Sequence, residues 1–75
     1  MIHYIVGYPH DSDFPVYRQD ISIDIASLKK IMGWEDDDEC VFTYKLNLEQ
    51  IALIEVVSGT VLAKEYELFL DCDED

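Results

Sequence analysis

Cations are what this sequence has least of. Five Lys and Arg stand against 17 Asp and Glu, a formal net charge of −12 over 75 residues. Such a chain does not grip nucleic acid directly, because a phosphate backbone is neutralised by Lys and Arg. An anionic membrane surface is excluded on the same ground. Long apolar runs are missing too: nothing approaches the ~20 residues that a spanning helix needs. Three glycines leave no Gly-rich loop to cradle a phosphate. Two cysteines, Cys40 and Cys72, are too few for the disulfide framework of a small secreted domain. Met1 passes at once into a β-rich segment without a basic leader, so no signal peptide is expected. The expected setting is the cytoplasm, with both thiols reduced.

What the sequence does have is the material for a core. Hydrophobic residues make up 49% of it, with five Tyr, three Phe and one Trp. Disordered acidic tails lack that apolar and aromatic content. The length allows one domain, residues 1–75, with the last few residues frayed. A domain this small buries only ~60% of its unfolded surface, so it leans on tight packing, an oligomer or a partner.

The charge is also unevenly placed. Residues 1–34 hold four acids and three cations, whereas residues 35–75 hold thirteen acids and two cations. Self-repulsion of that order opposes compaction and so calls for a functional reason. Solubility by itself asks only for a net charge of magnitude ~2–8.

Along the chain, residues 2–8 are rich in β-formers and read as a first strand. Pro9, Asp11, Ser12 and Asp13 make a turn, and residues 16–21 read as a second, antiparallel strand. Asp24 is placed to cap a helix over 25–32, with Ile25, Leu28, Ile31 and Met32 in one apolar stripe and Gly33 as its stop. Cys40 to Leu46 reads as a third strand with Phe42, Tyr44 and Leu46 on one face. Asn47 and Gln50 stand at capping-box positions and open a helix over about 48–57, with Leu48, Ile51, Ile54 and Val57 facing inward. Residues 64–71 complete the order ββαβαβ, with Tyr66, Leu68 and Leu70 on one face of the strand. The expected fold class is α+β: a small antiparallel sheet of three to four strands with two helices packed on one face.

Catalysis finds little to work with. His3 lies in a strand, where packing is the commoner role. His10, Asp11 and Ser12 are chain neighbours, and a triad needs its members to approach from different directions. Cys40 follows five acids, which disfavour a thiolate. No cofactor is implied. Asp11, Asp13 and Asp36 to Asp38 offer hard oxygen ligands, but without the spacing of a calcium loop, and His3, His10, Cys40 and Cys72 lack the close pairs of a zinc motif. No dedicated metal site is expected.

The strongest feature is the run Glu35, Asp36, Asp37, Asp38 and Glu39 directly after Trp34. Such a run is usually a solvated loop. Next to a Trp, a residue over-represented at binding hot spots, it also suits a Lys/Arg-rich protein surface. Asp71, Asp73, Glu74 and Asp75 either fray as a tail or extend the same field. The candidate partner-binding residues are therefore Trp34, Glu35, Asp36, Asp37, Asp38, Glu39, Asp71, Asp73 and Glu74.

The order of segments resembles a group of small bacterial immunity proteins, which neutralise colicin-like or contact-dependent growth-inhibition toxins. It is similar to an uncharacterised small-domain family found in toxin loci. The residues concerned are the hairpin ending at Asp20-Ile21, the segment Leu28 to Trp34, the acidic stretch, Tyr44-Lys45-Leu46 leading to Gln50, and Tyr66 to Leu70. These motifs are structural, and no site residue is carried over from them. The resemblance implies a cognate toxin domain, a nuclease above all, as the basic partner. The residues alone imply an acidic binder that is not an enzyme. The alternative is an acidic nucleic-acid mimic or adaptor acting on a basic host protein.

Overall fold

Alternation of side chains decides the architecture. The computed structural model describes residues 2–73. Strand β1, Ile2–Tyr8, turns His3, Ile5 and Gly7 to the interior and leaves Tyr4, Val6 and Tyr8 half-buried on the opposite side. Strand β4, Glu67–Asp73, buries Leu68 and Leu70 in the same manner. These two strands pair antiparallel at the centre of the sheet, with Ile5 opposite Leu70 and Gly7 opposite Leu68. Strand β2, Tyr17–Ile21, lines one edge against β1, and the two-residue β3, Tyr44–Lys45, lines the other against β4. The order across the sheet is β2-β1-β4-β3, antiparallel throughout.

Helices α1, Ile25–Met32, and α2, Leu48–Ser58, both cover the inner face. Their buried Leu28, Ile51 and Ile54 join Ile5, Ile21, Leu68 and Leu70 in one core with Trp34, Cys40, Leu46 and Leu62. Asp24 and Asn47 stand at the two N-caps in extended conformation. The Asn47 Oδ1 accepts from the Gln50 N–H at 2.8 Å, and the Gln50 Oε1 accepts from the Asn47 N–H at 3.0 Å, a reciprocal capping box. Gly33 and Gly59 end the helices at φ 73° and 71°, the left-handed region that other residues adopt at a cost. Gly7 serves by its size. A Cβ there would meet the Cβ atoms of Tyr17 and Tyr66 at 3.0 Å, and the stacked rings of those two tyrosines lie 5.9 Å apart.

The α+β class and the strand–helix order match the sequence reading, and three details are corrected. The third strand expected over residues 40–46 is reduced to Tyr44–Lys45, because Asp37–Val41 winds into a 3₁₀ turn. That turn buries Cys40 and leaves Phe42 59% exposed, so Phe42, Tyr44 and Leu46 do not share a buried face. The last strand begins at Glu67, not at residue 64. Lys64 Nζ is held 2.6 Å from Glu55 Oε2, which keeps that segment folded back on α2. Leu48 and Val57 are exposed and not inward, at 78% and 48%.

Candidate partner-binding surface

The acidic run is a built turn and not a slack loop. Glu39 folds back so that its Oε2 accepts the backbone N–H groups of Glu35 and Asp36, at 2.7 and 3.1 Å. The Glu39 carbonyl accepts from the Tyr44 hydroxyl at 2.7 Å. Asp37 Oδ1 lies 3.3 Å from Lys29 Nζ on the last turn of α1. Glu39 and the N-cap Asp36 thus hold the turn in shape as a capping box, and Glu35, Asp36, Asp37 and Asp38 are exposed.

Trp34 is a core residue. It is 7% exposed, and its ring centroid lies 5.3 Å from that of Tyr44. Its Nε1 is buried and meets no hydrogen-bond acceptor among the described residues. The expectation of an exposed aromatic anchor at position 34 is therefore corrected: Trp34 closes the core beneath the turn, because the left-handed Gly33 redirects the chain inward after α1.

His3 ties the turn to the sheet. It is 4% exposed, and its Nε2–H donates to the Cys40 carbonyl at 3.4 Å, which sets the tautomer. Burial away from water pushes its pKa below the ordinary value, and the contact with Cys40 only partly opposes that. In the β1–β4 ladder His3 stands opposite Cys72. The acidic turn and the end of β4 consequently share one end of the molecule. They do not form one continuous flat patch, since Asp71 and Asp73 alternate with the inward Cys72 and project from the open side of the sheet. Glu74, the remaining candidate, and Asp75 lie outside the described residues.

That open side is the second feature, and no helix among the described residues covers it. Tyr4, Val6, Tyr8 and Phe69 make its apolar middle, with Tyr8 and Phe69 edge-to-face at 5.2 Å. The Arg18 guanidinium lies 3.8 Å above the Tyr4 ring and 3.1 Å from Asp20. A shallow trough of about 440 Å³ runs between Tyr4, Val6, Tyr8, Val16, Arg18 and Asp71. Desolvation, and then the neighbouring Asp71, raise the Tyr4 pKa.

Four of the five cations already face a carboxylate of the same chain: Arg18–Asp20, Lys29–Asp37, Lys45–Glu67 and Lys64–Glu55, at 2.6 to 3.4 Å. Glu55 also accepts the Leu62 N–H at 2.8 Å, and that bond, followed by Lys64, holds its carboxyl below the usual range. Among the described residues no three His, Cys, Asp or Glu side chains gather as metal ligands would, and no helix is long and apolar enough to cross a membrane.

The chain belongs to the DUF7683 family, a domain of unknown function. The DUF7683 match covers residues 2–71, from the start of β1 into β4, and so takes in the acidic turn and most of the open sheet face. Its description assigns no activity and nothing in it bears on toxin immunity. No curated protein and no solved structure matches the chain.

Two surfaces in this DUF7683 domain escaped the sequence reading. One is the open sheet face. Its signal was present: strands that face water on one side should alternate apolar with polar, yet residues 2–8 are apolar or aromatic at nearly every position. The other is the outer side of α2, where Leu53, Val56 and Val57 are exposed. A helix apolar all round is normally buried on every side.

Proposed function

We propose that the protein is a binding module that neutralises a basic protein partner, on the pattern of an immunity protein covering the active site of its cognate toxin nuclease. The observation that carries this reading is the charge balance at the surface. With four of five cations engaged inside the chain, almost no positive charge is left to offset the remaining acids. A nuclease presents a positive groove to phosphate, and an acidic protein fits that groove. Opposed charges raise association to as much as ~10⁸–10⁹ M⁻¹s⁻¹ at low salt, which serves a host that must capture a toxin before it acts. Binding, not turnover, is further supported by the state of the titratable groups. His3 and Cys40 are buried, and His10 is an exposed side chain 3.7 Å from Glu67. The reading places the protein in the cytoplasm, where thiols stay reduced.

The test is affinity capture on the immobilised protein from a lysate of the native organism, at low and at high salt, with identification by mass spectrometry. The expected result is one dominant basic protein, retained at low salt and recovered less well as salt rises. Capture of acidic or neutral proteins, insensitive to salt, contradicts the proposal.

A further inference from the structure

The open sheet face combines two properties that seldom meet without a reason. Its middle is apolar and aromatic, formed by Tyr4, Val6, Tyr8 and Phe69, with the Arg18 guanidinium resting on the Tyr4 ring at one side. Its rim is acidic. Asp20 and Asp71 flank Tyr4 in the strand register, Glu67 pairs with Tyr8, and Asp13 borders the hollow beside Phe69. Against these four carboxylates stand Arg18 and Lys45, each already held by one of them. The helices on the inner face show what this sheet accepts as a neighbour. The two central strands, β1 and β4, each of seven residues, are about 24 Å long, and with the five-residue β2 beside them they span about 10 Å, which β3 widens over only two residues. A helix about 10–12 Å across and four turns long fits that area.

We propose that the open sheet face docks an amphipathic basic helix of a protein partner, its apolar stripe on Tyr4, Val6, Tyr8 and Phe69 and its Lys and Arg side chains on the flanking acids. This rests on the reading of the protein as a binder of basic partners and gives that partner a form. Docking converts a sheet covered on one side into a three-layer sandwich, and apolar contact supplies what rim charges alone supply poorly, a slow dissociation. The exposed side of α2 offers no such choice of occupant: its rim holds Glu49 and the Glu55–Lys64 pair, so charge does not select what would cover it.

The experiment uses three synthetic 16-residue peptides with the full chain, followed by amide and side-chain NMR shifts. One has a Leu face and a Lys face, one a Leu face and a Glu face, and one carries the same number of Lys on a Ser/Gly background. The Leu/Lys peptide is expected to shift Tyr4, Val6, Tyr8 and Phe69 and to bind at least tenfold more tightly than either control. Val6→Lys, which puts a cation in the middle of the face and touches nothing in the core, is expected to weaken it at least tenfold with the fold retained in the same spectra. Should Val6→Lys fail to fold, the wild-type shift map decides alone. Shifts centred on the acidic turn or on Leu53 and Val56 overturn the sheet-face proposal while leaving the reading as a basic-partner binder intact. Equal binding of the two Lys peptides also overturns it. Failure of both Lys peptides to bind, or equal binding of the Leu/Glu peptide, removes the sheet-face proposal together with the charge argument beneath it.

Discussion

The two faces of one sheet carry the same alternation and opposite fates. On the inner face Ile5, Leu68 and Leu70 are at most 2% exposed beneath two helices. On the other face Tyr4, Val6, Tyr8 and Phe69 are only half-buried, among themselves and their acidic neighbours. Burial of the first kind holds a 75-residue domain together, and apolar surface of the second kind adds little to folding and is left for the docking proposed above. Mutations should therefore separate into those that unfold and those that only unbind.

The largest effect is expected on the inner side. Trp34→Ala removes a buried indole packed on Tyr44, which costs ~3–5 kcal/mol. A domain of this length holds only about 4–11 kcal/mol in total, so a chemical denaturation midpoint should fall steeply or the transition vanish. Trp34→Phe should cost much less, because it also removes a buried N–H that meets no acceptor among the described residues. Next comes Gly7→Ala. The new Cβ meets two Cβ atoms fixed to the backbone, and overpacking of this kind costs about 1–3 kcal/mol, measurable as a lower melting temperature.

A smaller effect depends on pH. The folded pKa of His3 is lowered, so below about 6.5 the unfolded chain takes up a proton that the folded chain refuses. Stability contributed by neutral His3 is complete above that pH and is lost as pH falls toward the folded pKa. The slope is at most about 1.4 kcal/mol per pH unit for one proton. Urea midpoints of wild type and His3→Gln, measured from pH 7.5 to 5.5, should show the wild type losing stability relative to the variant as pH falls. A wild type that holds or gains relative to the variant on acidification would contradict the assignment of His3 as neutral and buried. The smallest effect is on the open face. Val6→Thr keeps the β-branch and should change stability by less than about 1 kcal/mol, while weakening any partner docked there.

These contrasts also mark where the sequence was legible. Both helices were, because Asp24, Gly33, Asn47, Gln50 and Gly59 are local stop and start signals whose chemistry does not depend on the rest of the fold. Strand β1 was legible for its dense β-formers. Residues 40–46 were not. Their β-propensity lost to a turn organised by Glu39, which accepts from residues 35, 36 and 44. Position 34 misled in the same way. A Trp before five acids reads as exposed, and only the left-handed Gly33 and the packing of Tyr44 turn it inward. The acidic turn and the end of β4 could be brought to one end only by the β1–β4 register and the His3–Cys40 bond, both long-range.

In the proposed complex, exposed carboxylates of the turn steer a basic partner. The most direct measurement is stopped-flow association of the captured partner with wild type and with the triple variant Asp36→Asn, Asp37→Asn, Asp38→Asn, across a series of salt concentrations. These side chains are exposed and Asn can still cap at position 36, so loss of the surface Lys29–Asp37 pair and relief of like-charge repulsion roughly offset, and the melting temperature should change little. The variant should associate more slowly at low salt, by about an order of magnitude, with a flatter dependence on salt and convergence of the two proteins at high salt. Identical association rates at every salt concentration would mean that the turn is merely solvated and does not steer a partner.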